Sequence, residues 1–293
     1  MKISRWLPGL WPGNDRKMTE RISHYLLTRF NVRLTFDVAP GSRPTGHMGL
    51  DAGWLERRFG LFEKYCLPSV AAQTRKDFIW LVYLDEETPQ VWKDRMAELA
   101  SEHEFLRPRY CRSFSDEVLW RGIDEEGGAE ESIRITSRLD NDDMIHPAYM
   151  ARMRELAERE LAERQAVGEG FEKGFYLAFP LGYCLRDGAG YVQRYRNNPF
   201  SSYVSAASLR KTVLDVDHRY IAESAPVAYE WHRPLWCQLI HGENVANAVR
   251  GVYNPFGGVF ERMYGGGPKR SVGWKLKEFF RSANEYLFHR NGK

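Results

Sequence analysis

The chain has 293 residues, 43% of them hydrophobic and 14% aromatic, with 42 Lys+Arg against 39 Asp+Glu. That is too apolar and too charge-balanced for a disordered chain, and a net charge of +3 supplies no global field for DNA or RNA, so no nucleic-acid partner is expected. Cys66, Cys111, Cys184 and Cys237 are too scattered for a zinc knuckle or a disulfide framework, and no run approaches the ~20 apolar residues of a membrane span, so a cytoplasmic protein with buried reduced thiols is expected.

Residues 1–18 read as an N-terminal extension without a secretory pattern. An apolar run over 24–30 suits a first strand, ending in the polar residues Arg29 and Asn31. Leu55, Phe59, Phe62, Cys66, Leu67 and Val70 follow helical spacing, with Pro68 expected to kink or divide the helix. Residues 78–84 form a buried strand closed by Asp85, and a helix is predicted from Pro89 to about residue 102. Residues 124–131 read as an acidic loop. In 132–139, Ile133, Ile135, Ser137 and Leu139 alternate with Arg134, Thr136 and Arg138, which predicts a strand delivering Asp140-Asn141-Asp142-Asp143 into a loop. A charged helix is expected over 147–165.

This β-α-β-α-β-α order predicts an α/β fold, a mostly parallel sheet flanked by helices, in which ligands bind at the carboxyl ends of the strands. Arg29 and Asn31, Asp85, and the 140–143 run all fall just past such ends. The second half changes texture, with strands predicted at 174–185, 190–195, 227–231 and 235–241 and a hairpin turn at Asp187-Gly188. No linker separates the halves, which argues for one composite domain.

Three carboxylates at the end of a strand must be solvated, paired or bound to a cation, and hard oxygen donors suit Mg²⁺ or Mn²⁺. Ions of this kind take one or two protein carboxylates and complete their shell with water and substrate phosphates, so a nucleoside diphosphate would fit. The competing reading is an Asp-rich turn capping the next helix. Met144 excludes an EF-hand. His241, at the end of an apolar strand, reads either as a third metal ligand or as a partly buried structural histidine. Arg29 and Asn31 suit a phosphate and a base or ribose, or a surface ion pair; Asp85 suits a ribose or base hydrogen bond, or a cap.

The stretches 67–74 and 77–85 resemble the opening of GT-A-fold glycosyltransferases, and the combination of 24–31, Ser137-Arg138-Leu139-Asp140-Asn141-Asp142-Asp143, Asn198-Pro199-Phe200 and 236–244 is similar to a rhamnosyltransferase family. The resemblance spans about residues 20–250, within a domain placed at 19–255. It implies a GT-A-like fold and transfer of a sugar, rhamnose by the family's name, from a nucleotide diphosphate donor such as a dTDP- or UDP-sugar. The acceptor would be a glycan or a lipid-linked glycan. It further implies that Asp140 and Asp142 form an Asp-x-Asp motif holding Mn²⁺ or Mg²⁺ with His241, that Asp140 also touches the ribose, and that Arg138 or Arg29 steadies the leaving diphosphate.

Inverting transfer needs a carboxylate base. The Glu-Asp pair of many inverting relatives has no counterpart here, which leaves Asp217, Glu223 and Glu230, with Asp143 as an acceptor contact. Asp217 is the choice, because it lies between Asn198-Pro199-Phe200 and Trp236. The segment 256–293 reads as a basic amphipathic helix, and 271–293 suits either an anionic membrane surface, at the inner face of the membrane, or a terminal helix packed on the body. Two rival functions remain: a non-catalytic carbohydrate- or partner-binding module, and a sugar nucleotidyltransferase, which would want a Gly-rich phosphate loop after the first strand where Thr28-Arg29-Phe30-Asn31 has no glycine.

Overall fold

Apolar residues on both faces of the first strand, β1 (Ile22–Arg29), place it mid-sheet from the outset: Ile22 and Leu26 point into one core and Tyr25 and Leu27 into another. In the computed structural model, residues 22–33, 50–127, 132–168, 173–231, 233–242, 249, 251–257, 260, 262 and 270–291 are described. The N-terminal extension expected over 1–18 lies outside them.

The chain continues through α1 (Ala52–Leu61), β2 (Ile79–Asp85), α2 (Gln90–Glu102), β3 (Leu106–Cys111), α3 (Asp116–Glu126), β4 (Ile133–Arg138), β5 (Met144–Ile145) and α4 (Tyr149–Ala166). Strands β6 (Phe175–Ala178), β7 (Leu181–Arg186), β8 (Ala189–Arg194), β9 (Ser202–Ala206), β10 (Val227–Tyr229), β11 (Trp236–Ile240) and β12 (Val252–Tyr253) follow, then α5 (Val272–Asn291). A seven-stranded sheet has the order β10-β6-β9-β4-β1-β2-β3, and β4, β1, β2 and β3 run parallel. Helices α1, α2 and α4 fill one face, and α3 fills the other. A second, five-stranded sheet has the order β12-β8-β7-β11-β5. The fold is therefore the expected mixed, mostly parallel α/β sheet flanked by helices.

Four local outcomes differ from the sequence reading. The run 174–185 is two strands, because Pro180 has no N–H for a ladder and the chain there leaves the first sheet for the second. β3 and α3 intervene between α2 and β4, so residues 124–126 are helical rather than loop. β9 inserts antiparallel between β4 and β6. The helix carrying Pro68 is divided one turn earlier than the proline: α1 passes through a π turn, Phe62–Cys66, into Leu67–Ala71, where Pro68 sits in the first turn and its missing N–H costs nothing. The Asp187-Gly188 turn is as expected, with φ of 50° and 72° closing β7 onto β8. All four cysteines are buried and free.

Candidate active site

The loop after β4 is fixed before any ligand is considered. The Thr28 hydroxyl donates to the Leu139 carbonyl at 2.7 Å, the Asn141 amide donates to the Phe30 carbonyl at 2.9 Å, and the Asp143 N–H closes a turn on the Asp140 carbonyl at 3.1 Å. Asp143 is buried and accepts the Leu239 N–H of β11 at 2.9 Å, which ties the two sheets together. Burial, with Asp142 and Asp140 beside it, pushes its carboxyl well above the usual range. Asp143 is thus an internal strut, not an acceptor contact.

Asp142, the residue before this strut, is also buried. Its Oδ2 lies 2.8 Å from His241 Nε2 and 2.5 Å from Arg58 Nη1 on α1, and the same Arg58 nitrogen donates to Asn141 Oδ1 at 3.2 Å. Burial works against the charged carboxylate, but the hydrogen bond from His241 and the Arg58 charge outweigh it and hold Asp142 below its ordinary value. Arg58 is itself positioned over the Trp54 ring, at 5.2 Å from the centroid.

Asp140 belongs to a second group. It is 54% exposed and pairs with Arg138 at 3.4 Å. Arg29 ends β1 next to Arg138 at the end of β4, and burial followed by the repulsion of Arg138 brings its basicity down to about 10. Among the described residues Asp140 is the one carboxylate ion-paired with either guanidinium. His218 borders the group; burial and Arg138 lower it to about 4, and it hydrogen-bonds the Tyr195 hydroxyl at 3.0 Å.

The remaining sequence candidates are structural in this conformation. Asn31 accepts the Asp85 N–H at 3.1 Å and donates to Thr88 at 2.9 Å. Asp85 pairs with Arg33 at 3.0 Å and accepts the Glu87 N–H at 2.8 Å. Both therefore lock the ends of β1 and β2. Asp217 caps a short helical turn, His218–Tyr220, and is gripped by the Arg219 guanidinium at 2.8 and 2.9 Å. That grip holds it far below the ordinary carboxylate value, which makes it a poor proton acceptor. Glu230 is held by Arg152 and Arg159.

The metal set reads differently as well. Asp142 and His241 meet, whereas Asp140 turns to Arg138, and among the described residues no three His, Cys, Asp or Glu side chains form a metal cage. A carboxylate with an imidazole nonetheless suits an ion that takes most of its shell from water and phosphate.

The sequence matches the family described as "Putative rhamnosyl transferase" over residues 26–253. The chain belongs to this family. Among curated proteins none matches. Solved structures that align with the chain include S. aureus TarS 1-349 in complex with UDP, at 12% identity and a TM-score of 0.40, covering 74% of this chain and 60% of that one. The same protein in complex with UDP-GlcNAc gives 12% and 0.41, with 90% and 72% covered. A 4-diphosphocytidyl-2C-methyl-D-erythritol synthase from Anaerococcus prevotii gives 10% and 0.30, with 73% and 89% covered. The chain thus spans 60% of the first of these proteins.

In this member of the family, Arg58 is the residue of the candidate site that sequence reasoning missed. It sits in a helix whose apolar stripe, Leu55, Phe59 and Phe62, reads only as core, and nothing in its spacing announces that it reaches the loop after β4. His218 was hidden for a like reason, lying next to the chosen Asp217 in a segment without periodicity.

Proposed function

We propose that the protein transfers a sugar from a nucleotide diphosphate donor to a hydroxyl of a glycan or lipid-linked glycan, with inversion and with Mn²⁺ or Mg²⁺ as cofactor, on the cytoplasmic side of the membrane. Rhamnose is the sugar that the family's description favours. One observation carries the reading: the carboxyl ends of β1 and β4 bring the Arg29–Arg138 pair next to the loop that holds Asp142 against His241.

Asp142 and His241 would hold the metal, and when bound it supplies Lewis-acid neutralisation of the departing diphosphate. Arg29 and Arg138 bind the diphosphate oxygens and keep their positive charge at the bond that breaks. Asp140, exposed beside Arg138, accepts a ribose hydroxyl. Arg58 holds Asp142 ionised and aimed until the donor arrives. The acceptor's proton leaves to a carboxylate; Asp217 takes that role only if Arg219 lets go of it, so the base is the part of the reading that activity measurements on Asp217→Asn address directly.

A thermal-shift panel of UDP, dTDP and GDP, with and without Mn²⁺, on wild type and Asp142→Ala tests the proposal. A metal-dependent rise with one diphosphate, lost in Asp142→Ala, is the expected result, and slow hydrolysis of a sugar ester of that diphosphate, added in the same buffer, should accompany it. Binding without hydrolysis would favour a non-catalytic module. No shift with any diphosphate would return the Asp loop to a capping role.

A further inference from the structure

The C-terminal helix α5 has two working faces, and the fold uses one. Its inner face is docked on the five-stranded sheet: the Trp274 ring meets Tyr253 at 5.4 Å, the Ser282 hydroxyl accepts the Tyr253 N–H at 2.9 Å, Glu278 accepts the Tyr191 hydroxyl at 2.8 Å, and Phe279 packs on the Tyr191–Tyr253 cluster. These contacts satisfy the reading of α5 as an ordinary packed terminal helix. They leave the other side unexplained.

On that other side Val272, Leu276, Phe280 and Leu287 are 73%, 52%, 67% and 61% exposed. Their spacing of four, four and seven places them in one stripe along the helix. A chain that needed α5 only for packing would put polar residues there. By the same periodicity Lys275 and Lys277 fall on opposite flanks of the stripe. Arg281 is already answered by Glu278 and Glu285, whereas no ion pair engages either lysine among the described residues. The charge of the whole chain is uneven in the same sense. Residues 269–293 hold seven Lys and Arg against two Glu, a net of +5, so with +3 overall the rest of the chain is net negative.

We infer that α5 is a membrane-docking helix: its apolar stripe lies in the acyl boundary of a bilayer and its flanking cations rest on anionic headgroups. The arrangement is that of an interfacial helix, an apolar strip bordered by lysines. No helix among the described residues is long and apolar enough to cross a membrane, so the contact is peripheral. The sheet that α5 covers also carries β11, the strand that precedes His241, so the docked helix and the candidate site share one sheet. The inference rests on the helix surface and does not depend on which sugar, or whether any sugar, is transferred.

Flotation of the full chain with vesicles tests it. The wild type should float with vesicles of equal parts phosphatidylcholine and phosphatidylglycerol, should bind pure phosphatidylcholine far less, and should be released as salt rises. Leu276→Asp with Phe280→Asp should lower the bound fraction ~10-fold or more, and Lys275→Glu with Lys277→Glu should abolish the preference for the anionic vesicles. Leu276, Lys277 and Phe280 are exposed and Lys275 is half-buried, so the variants should keep the wild-type melting temperature and circular dichroism, which separates lost docking from lost fold. A wild type that stays in the aqueous fraction overturns the inference, as does an apolar-stripe variant that floats as well as wild type. So does a wild type that sediments as a dimer which the stripe variant dissolves, because the stripe would then be covered by a second copy of the chain.

Discussion

Arg29 and Arg138 stand side by side at the carboxyl edge of the sheet with one exposed aspartate between them and solvent. Burial beside a second guanidinium lowers the basicity of Arg29, and such a pair gains most from a ligand that brings two or more negative charges. Arg138→Ala should therefore weaken a nucleoside diphosphate by about 10- to 100-fold, the equivalent of ~1.5–3 kcal/mol for a charge-assisted contact, while barely changing the affinity for the parent nucleoside. Calorimetric titration of both ligands distinguishes this from a general loss of the pocket, which would weaken both. Arg58 makes the opposite prediction for metal. Its guanidinium occupies Asp142 Oδ2 at 2.5 Å, so it competes with any cation there. Arg58→Ala should bind Mn²⁺ more tightly in the absence of nucleotide, by several-fold at least, as read from the loss of the free-ion signal in an electron paramagnetic resonance titration. Weaker binding in the variant would mean that Arg58 builds the site instead of guarding it.

At the scale of elements, the sequence announced those that bury an uninterrupted apolar pattern. β1, β2 and β4 lie mid-sheet and read as strands, each within two residues of its observed ends. β3 did not, because it is an edge strand whose Arg107, Pro108 and Arg109 break the pattern and need no second neighbour. β9 was equally silent: Ser202 and Ser205 are buried, and Ser202 is recruited by Ser137, itself 2.7 Å from His24. That polar ladder crosses three strands and is visible only once β9 is known to pair with β4. The same limit applied to the site. Arg29, Asp142 and His241 were legible from their places after strands, but Asp140 and Asp142 sharing no partner was not, since it depends on where α1 delivers Arg58. Gly182 shows how tightly the two sheets are joined. A Cβ there would lie 2.2 Å from the Trp236 ring, which stacks on Phe200 at 4.6 Å between the sheets. Gly182→Ala should cost ~1–3 kcal/mol through overpacking, seen as a lower melting temperature, and the loss should be recovered in part by Trp236→Phe, which frees space on that side.

Across the whole molecule, the same polar ladder sets the response to acid. His24 is buried, and that burial, reinforced by Arg154, brings it from 6.5 down to about 3; His218 is brought down to about 4. Both are neutral in the fold and take up protons when the chain unfolds. Between about pH 6.5 and the folded values the unfolded state therefore binds more protons, so the stability these groups contribute is complete above pH 6.5 and drains away as the pH falls. Each histidine supplies a slope of up to about 1.4 kcal/mol per pH unit in that window. Asp143 pulls the other way, since its raised carboxyl favours the folded state in acid, and the two effects overlap in the wild type. His24→Gln separates them. The amide can still bond Ser137 but does not titrate, so the variant should be less stable than wild type at neutral pH and the gap should close, then reverse, between pH 6 and about 4. Urea unfolding at steps across that range measures it. A gap that stays constant with pH would mean that His24 is protonated in the folded chain and that the ladder through Ser137 and Ser202 is an ionic one.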